Sequence, residues 1–317
     1  MPPSARQVSQ HPCRCKGVRR AARMRLPCTG RVWPTREAQV DTGMNDAIDD
    51  HAARFAAVAR LYGRAGAEVI RDLAIGVVGV GGVGSWAVEA LARSGVGRLR
   101  LIDPDDVAPS NVNRQLHALD GSFGRAKVAV LAERITAIHP ACAVDARDEP
   151  LTPATLERHL ADLDGVIDAI DAIRFKAALV QFCRRRKIAV VTTGGAGGLI
   201  DPTRIEVADL SRTWNDPLAA KVRSRLRSEF GWTRNPKRRF GVDCVFSTEQ
   251  PLYPRADGSV GHHKPGVHGA TLDCDSGYGS VVTVTASFGM VAAGHLLNRL
   301  VMRRVGRARP GARPTLV

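Results

Sequence analysis

From Leu73 onward, short apolar runs alternate with longer stretches in which apolar residues recur every three or four positions. Residues 75–80, 99–103, 143–147, 165–170 and 188–193 are the short runs. All but 143–147 are rich in Val, Ile or Leu; all five predict strands, with 143–147 as the third. Residues 83–94, 124–138, 153–161 and 174–187 lie between them and predict helices. Gly95 and Gly97 end the first helix, His139 and Pro140 stop the second, and Thr152 is a candidate N-cap for the third. This alternation predicts an α/β fold, a Rossmann-like, mostly parallel sheet with helices on both faces. The alternation stops after the GGAGG run at 194–198. Residues 199–210 carry Asp201 and Pro202 between apolar runs and predict an antiparallel hairpin, so antiparallel additions are expected in the second half. Residues 216–230 predict a helix, 234–240 a basic loop and 251–271 a loop rich in Gly, His and Pro.

Near the C-terminus, residues 281–297 form one more apolar run. It is shorter than the roughly 20 residues a membrane span needs. Thr283, Thr285, Ser287 and His295 interrupt it, which suits a helix packed against protein rather than lipid. No internal repeat is visible. The expectation is one domain over 44–300 with a basic tail over 301–317.

Charge changes the picture mainly at the ends. The 317 residues carry a formal net charge of +15, and residues 1–43 hold nine Arg/Lys against two Asp/Glu. That segment has no hydrophobic period, no apolar core of a secretory signal and no amphipathic pattern of a mitochondrial leader. It reads as a disordered basic extension, with Met44 a candidate true start. Of seven cysteines, Cys13, Cys15 and Cys28 lie there; Cys142, Cys183, Cys244 and Cys274 are scattered, with no C-x-x-C pair. This usage fits a reducing cytoplasm and offers no zinc site of the usual spacing.

The sharpest chemical signal is GVGGVG at 79–84, directly after a predicted strand and before a predicted helix. Gly79, Gly81, Gly82 and Gly84 allow a tight turn and let a phosphate approach the backbone at a helix N-terminus. Asp103 ends the second strand 19 residues beyond Gly84, where a carboxylate can accept hydrogen bonds from ribose hydroxyls. That much suits NAD and ATP equally.

The residues beyond Asp103 distinguish the two nucleotides. Asn113, Arg114 and Gln115 come after the acidic loop 103–106, Lys127 lies within GRAK at 124–127, and Asp171 closes DAID at 168–171. Together these resemble the ubiquitin-activating-enzyme-like adenylyltransferases of the ThiF/MoeB/HesA family. The resemblance implies that these residues bind ATP and Mg²⁺ to adenylate a carboxylate. Arg114 and Lys127 would neutralise phosphate charge, Asp171 would hold Mg²⁺, and Asn113 and Gln115 would orient the nucleotide or the attacking group. One departure stands out. The family's usual Arg three residues after Arg54, which reaches the nucleotide of a partner subunit, is Ala57 here, with Arg60 the candidate substitute in a homodimer.

The second half narrows the group. RLYG at 60–63, TTGGAGG at 192–198, DPLAAK at 216–221 and GVDCVFST at 241–248 resemble the tRNA threonylcarbamoyladenosine dehydratases. That resemblance implies tRNA as substrate and ring closure of its adenylated side chain, with a sulfur-relay protein as a further partner. Lys221, Arg223, Arg225, Arg227, Arg234, Lys237, Arg238 and Arg239 face only Glu229 in charge, a basic strip able to grip tRNA phosphates. Cys244 is the candidate for covalent chemistry, since relatives in sulfur transfer use a cysteine in this region. His262, His263 and His268 form a loose cluster without metal spacing. Three alternatives stay open. One is an adenylyltransferase for a sulfur carrier ending in Gly-Gly. The others are an NAD-dependent oxidoreductase and a nucleotide-gated RNA-binding scaffold.

Overall fold

The computed structural model describes residues 44–255, 257–263 and 279–308. The chain divides into two units, Met1–Met44 and Asn45–Val317, and the fold described is that of the second. The basic extension 1–43, Cys274, His268 and residues 309–317 lie outside the described residues.

A long helix opens the described chain, α1 (Met44–Asp72), bent at Phe55 and at Gly63, whose φ of +72° falls in the left-handed region. The hydrophobic pattern before Leu73 does not predict it. The chain then runs β1 (Ala74–Val78), α2 (Gly84–Arg93), β2 (Arg98–Ile102), α3 (Lys127–Ile138), β3 (Ala143–Arg147), α4 (Leu156–Leu160), β4 (Gly165–Asp168), α5 (Ile173–Arg186) and β5 (Ala189–Thr193). The second half adds β6 (Ile205–Asp209), α6 (Pro217–Glu229), β7 (Asp243–Ser247), the two-residue strands β8 (Tyr253–Pro254) and β9 (Val260–Gly261), and α7 (Val282–Ala308).

Seven strands form one sheet in the order β3-β2-β1-β4-β5-β7-β6. All neighbours pair in parallel except β6, which runs antiparallel to β7. Strand side chains alternate between the two faces. Ile75, Val77, Leu99, Leu101, Ile167, Val191 and Val245 pack with α2, α3 and α7. Ala74, Val78, Ile102, Val166, Val190, Cys244 and Phe246 pack with α4, α5 and α6. Burial on both faces is why β1, β4 and β5 read as largely apolar runs, whereas β2 carries the buried Arg100. The expected mostly parallel α/β sheet is therefore the one observed.

Three local expectations are corrected. Residues 199–210 do not form a hairpin: Pro202–Arg204 is a 3-10 turn and β6 pairs with β7, Ile205 opposite Ser247. The third predicted helix begins only at Leu156 with Thr155 at its cap, and Thr152 stands before it, its N–H donating to Thr155 Oγ1 at 2.9 Å. The supposed tail from residue 301 continues α7 as far as Ala308, with Val301 buried. The apolar run at 281–297 is the buried part of that helix, and Phe288, Ala292, Leu296 and Leu300 pack into the core. Among the described residues no helix is long and apolar enough to cross a membrane.

Candidate functional site

The sheet's strand order reverses direction between β1 and β4, and the C-terminal ends of such neighbours open a crevice suited to a ligand. The glycine turn stands at this point. Gly79 has φ +79°, and a Cβ there would lie 2.8 Å from the Ala169 carbonyl oxygen on the exit of β4. A Cβ on Gly84 would collide with the Gly79 carbonyl oxygen. The turn is thus closed by two backbone approaches that only glycine permits. Val83 caps α2 without a side-chain hydrogen bond, so the helix N-terminus is presented by backbone alone.

Two predicted residues converge on this turn. A Cβ placed on Gly82 would lie 3.3 Å from Arg114 Cγ, and one on Gly81 would lie 3.6 Å from Gln115 Nε2. Both side chains are buried, at 7% exposure each. Arg114 is held on several sides. Its Nη1 donates to the Ser110 carbonyl (2.8 Å) and to Asn113 Oδ1 (3.0 Å), and its own carbonyl accepts from Trp86 Nε1 on α2 (3.0 Å). Gln115 Oε1 is buried without a protein hydrogen-bond partner among the described residues. Asn113 does not face the turn as a free ligand. Its Nδ2 donates to the Ser280 carbonyl at 2.9 Å, so it clamps Arg114 to the segment preceding α7.

Asp103 has a different first task from the one expected. Its Oδ2 accepts from Val80 N (2.7 Å) and its Oδ1 from Asp105 N (2.9 Å), tying the glycine turn to the end of β2. Burial raises its pKa, offset by the Lys127 charge and by the two N–H groups. Lys127 opens α3 and is buried, and its Nζ donates to Asp105 Oδ2 at 2.7 Å. It is delivered there by backbone pairing of the two loops: Gly124 N to Val107 O (2.8 Å), Val107 N to Arg125 O (2.9 Å) and Lys127 N to Asp105 O (3.0 Å). The predicted helix at 124–138 therefore starts three residues late.

Asp171 is exposed just beyond β4. Its loop is anchored from below by a buried pair that sequence reasoning missed. Lys176 Nζ lies 3.2 Å from Asp168 Oδ2 and donates to the carbonyls of Asp168 (3.1 Å) and Ile170 (2.9 Å), while Thr192 Oγ1 donates to Asp168 Oδ2 (2.6 Å). Both charged groups are essentially solvent-free. Asp168 was legible only as part of DAID, and Lys176 had no signal beyond standing next to Ala177 in an otherwise apolar helix face. His117 was also missed. It is buried, and desolvation, with the Lys127 charge, brings its pKa down to about 4.

Cys244 sits fully buried on β7, the strand next to the edge strand β6, and belongs to the second core with Val190, Leu179 and Phe246. Burial, with the nearby Asp216 charge, pushes its thiol well above the ordinary value. A protonated, solvent-free thiol is a packing group and not a ready nucleophile. The expectation of covalent chemistry at Cys244 gains nothing from this placement. Ala57 and Arg60 are both exposed on α1. Among the described residues no cluster of three or more His, Cys, Asp or Glu could hold a metal, and His262 and His263 form none.

The assembled site is a glycine cradle at a helix N-terminus, two buried cations beside it and one exposed carboxylate across the crevice. Such an arrangement can bind a polyphosphate and stabilise charge at phosphorus. The family model described as "ThiF family" matches residues 52–313. The chain is 52% identical over 252 residues to the tRNA threonylcarbamoyladenosine dehydratase of Escherichia coli (strain K12), covering 79% of this chain and 94% of that protein. It is 44% identical over 258 residues to the Haemophilus influenzae protein of the same name, covering 81% and 97%. A crystal structure of the E. coli dehydratase in complex with ATP matches with a TM-score of 0.73 at 48% identity, covering 82% of this chain and 98% of that one.

Proposed function

The chain belongs to the ThiF family, and from that premise we propose that the site described above works as an ATP-dependent tRNA threonylcarbamoyladenosine dehydratase. ATP is the co-substrate. The cradle fits its phosphates: glycine is required where the backbone must come close, and Arg114 and Gln115 stand over Gly82 and Gly81 with a buried Gln115 oxygen still able to accept a hydrogen bond.

In the first step a carboxylate oxygen of the threonylcarbamoyl side chain attacks the α-phosphorus of ATP. The bond from that phosphorus to the bridging oxygen breaks, and pyrophosphate leaves with the electron pair. Carboxylate and triphosphate repel each other, so this step needs fixed positive charge. Arg114 and Lys127 supply it from positions 7% and 5% exposed, where little water screens them. Neither has to reorganise, because Ser110, Asn113 and Asp105 already hold both side chains. Backbone N–H groups at the head of α2 add further donors.

In the second step a nucleophilic atom of the same side chain attacks the activated carbonyl and gives up its proton to solvent, while the bond from that carbonyl to the phosphate oxygen breaks and AMP departs with the electron pair. The substrate has then lost one water in net terms, and the products are AMP and pyrophosphate. No thiol takes part, in keeping with the buried Cys244. Mg²⁺ would be held by Asp171 together with phosphate oxygens, the usual arrangement for a cation that keeps few protein ligands, and would neutralise phosphate charge. Asp103 keeps the turn in place through Val80 and Asp105, and a second lone pair on each of its oxygens remains for a ribose hydroxyl.

The convergence of Arg114 and Gln115 on one glycine cradle, with Lys127 beside the Asp103 that holds the turn, carries this assignment, together with 52% identity along nearly the whole length of a dehydratase. Nucleoside mass spectrometry tests it. Threonylcarbamoyl-modified tRNA incubated with the protein, ATP and Mg²⁺ should give a nucleoside lighter by one water, and only when ATP is present. An unchanged nucleoside with ATP bound would overturn it in favour of a carboxylate on another substrate.

A further inference from the structure

A cavity of about 320 Å³ opens between the start of α6 and the segment after β7, within the size range of small-ligand sites. Asn215, Asp216, Arg223, Gln250, Tyr253 and His262 line it. It belongs to none of the steps derived above, yet it lies on the same edge of the sheet. Strands β1, β4, β5 and β7 are successive parallel neighbours. Their C-terminal ends therefore present, in order, the glycine cradle, Asp171, Gly194 with Gly195, and the segment leading to Tyr253. With neighbouring strands about 4.8 Å apart, the cavity beyond β5 and β7 lies roughly 10–15 Å from the cradle.

Asp216 joins the cavity to that edge. Its Oδ2 accepts from Gly195 N (3.1 Å) and its Oδ1 from Ala219 N (2.8 Å), which caps α6. A side chain on Gly194 would collide with the Asp216 carboxylate, so the end of β5 and the head of α6 are in close contact. Asn215 holds a left-handed conformation at φ +54°, and its Nδ2 donates to the Thr248 carbonyl at 2.9 Å, which orients the amide. Half-buried Arg223 donates to Thr213 Oγ1. Lys221 on the same helix is exposed, as are Arg234, Lys237, Arg238 and Arg239 in the loop after it.

The lining chemistry suits one class of ligand. Primary amides carry a donor and an acceptor side by side, which matches the edge of a nucleobase. The exposed planar ring of His262 offers a stacking surface, and the buried Tyr253 lines the cavity beside it. Arg223, with the exposed Lys221 on the same first turns of α6, suits the phosphate backbone beside an extruded nucleotide. The short threonylcarbamoyl side chain sets the spacing. With its carboxylate at the α-phosphate over β1 and β4, the base to which it is attached falls over β5 and β7.

We propose that this cavity holds the modified adenine of the RNA substrate, with Asn215 and Gln250 meeting its edge, His262 its face, and Arg223 the adjoining backbone. The assignment rests on the dehydratase reading and adds its base-recognition site.

Two variants test it without touching the cradle. Ala220 is exposed and lines the cavity, so Ala220→Trp should plug it. Gln250 is exposed, and Gln250→Ala removes one pair of hydrogen-bonding atoms without disturbing the core. KM for threonylcarbamoyl-modified tRNA should rise about tenfold in Gln250→Ala and by more than that in Ala220→Trp. The Kd for ATP, from calorimetric titration, should stay within about twofold in both, since neither residue touches the ATP cradle. Free threonylcarbamoyladenosine should bind the unaltered protein by saturation-transfer NMR and lose that binding in Ala220→Trp. Unchanged KM in both variants, or nucleoside binding that survives the plug, would overturn the cavity assignment while leaving the dehydratase reading intact. If the nucleoside binds and the plug displaces it, yet no water-loss product forms from tRNA, the dehydratase reading fails and the cavity assignment stands.

Discussion

His117 makes the stability of this protein depend on acid in a way that one substitution can isolate. The imidazole is 2% exposed, and neither ring nitrogen reaches a protein hydrogen-bond partner among the described residues. Desolvation disfavours its charged form, and the nearby Lys127 charge adds to that, so its pKa falls from 6.5 to about 4 on folding. Between those two values the unfolded chain binds more protons than the folded one. The stabilisation is therefore complete above about pH 7 and is lost as the pH falls through 6.5 towards 4. At pH 5 the linkage amounts to a loss of about 2 kcal/mol relative to pH 8. The perturbation is His117→Leu, which keeps the site filled and removes the titrating group. Denaturant unfolding at pH 8 and pH 5 should show the variant losing about 2 kcal/mol less than the parent between the two conditions. Some slope will survive, because burial also lowers His139 to about 4. Parallel pH profiles for the two proteins would refute the reasoning, since the imidazole would then titrate alike in the folded and unfolded states.

Gly84→Ala places a methyl group against the Gly79 carbonyl oxygen. The turn must open to accommodate it, and calorimetry should record at least about a tenfold weaker Kd for ATP, whereas unaltered affinity would remove the cradle from the site. Asp171→Asn should leave the fold intact, because the residue is exposed, and should suppress Mg²⁺-dependent AMP release; normal release would remove its metal role. Lys176→Met strands the buried Asp168 carboxylate and should cost about 3–5 kcal/mol in chemical denaturation, much of it regained in the double variant with Asp168→Asn. If the second change gives no recovery, the loss came from packing rather than from charge.

The central strands were legible because each is buried on both faces, so that Ile75, Val77, Val166 and Val191 appear as unbroken apolar runs. The glycine turn was legible because part of its demand is local: Gly84 lies against the Gly79 carbonyl five residues back, where only glycine fits. The pairing of β6 was not legible. Residues 205–209 form a half-exposed edge strand whose partner lies more than thirty residues further on, and local pattern carries no information about which distant strand accepts its hydrogen bonds. Helix α1 escaped for a related reason, since it is interrupted by Phe55 and Gly63 and buries only a few side chains.

By itself the sequence determined the α/β class and the order of the central elements along the chain, while Arg114, Gln115, Lys127 and Asp171 were singled out as a set only by resemblance to a family. The class and the order follow from periodicity and from short motifs, in which the residues that set the pattern are near in the chain. Only the tertiary structure decided what each residue touches. It turned Asn113 into a clamp on Arg114 and gave Asp103 the backbone of the glycine turn to hold. It buried Cys244 beyond the reach of solvent, and it set Lys176 beneath the loop of Asp171. The physical reason is common to all four. Desolvation and hydrogen-bond partnership depend on segments that meet across the sheet, and those meetings are made by packing and not by spacing along the chain.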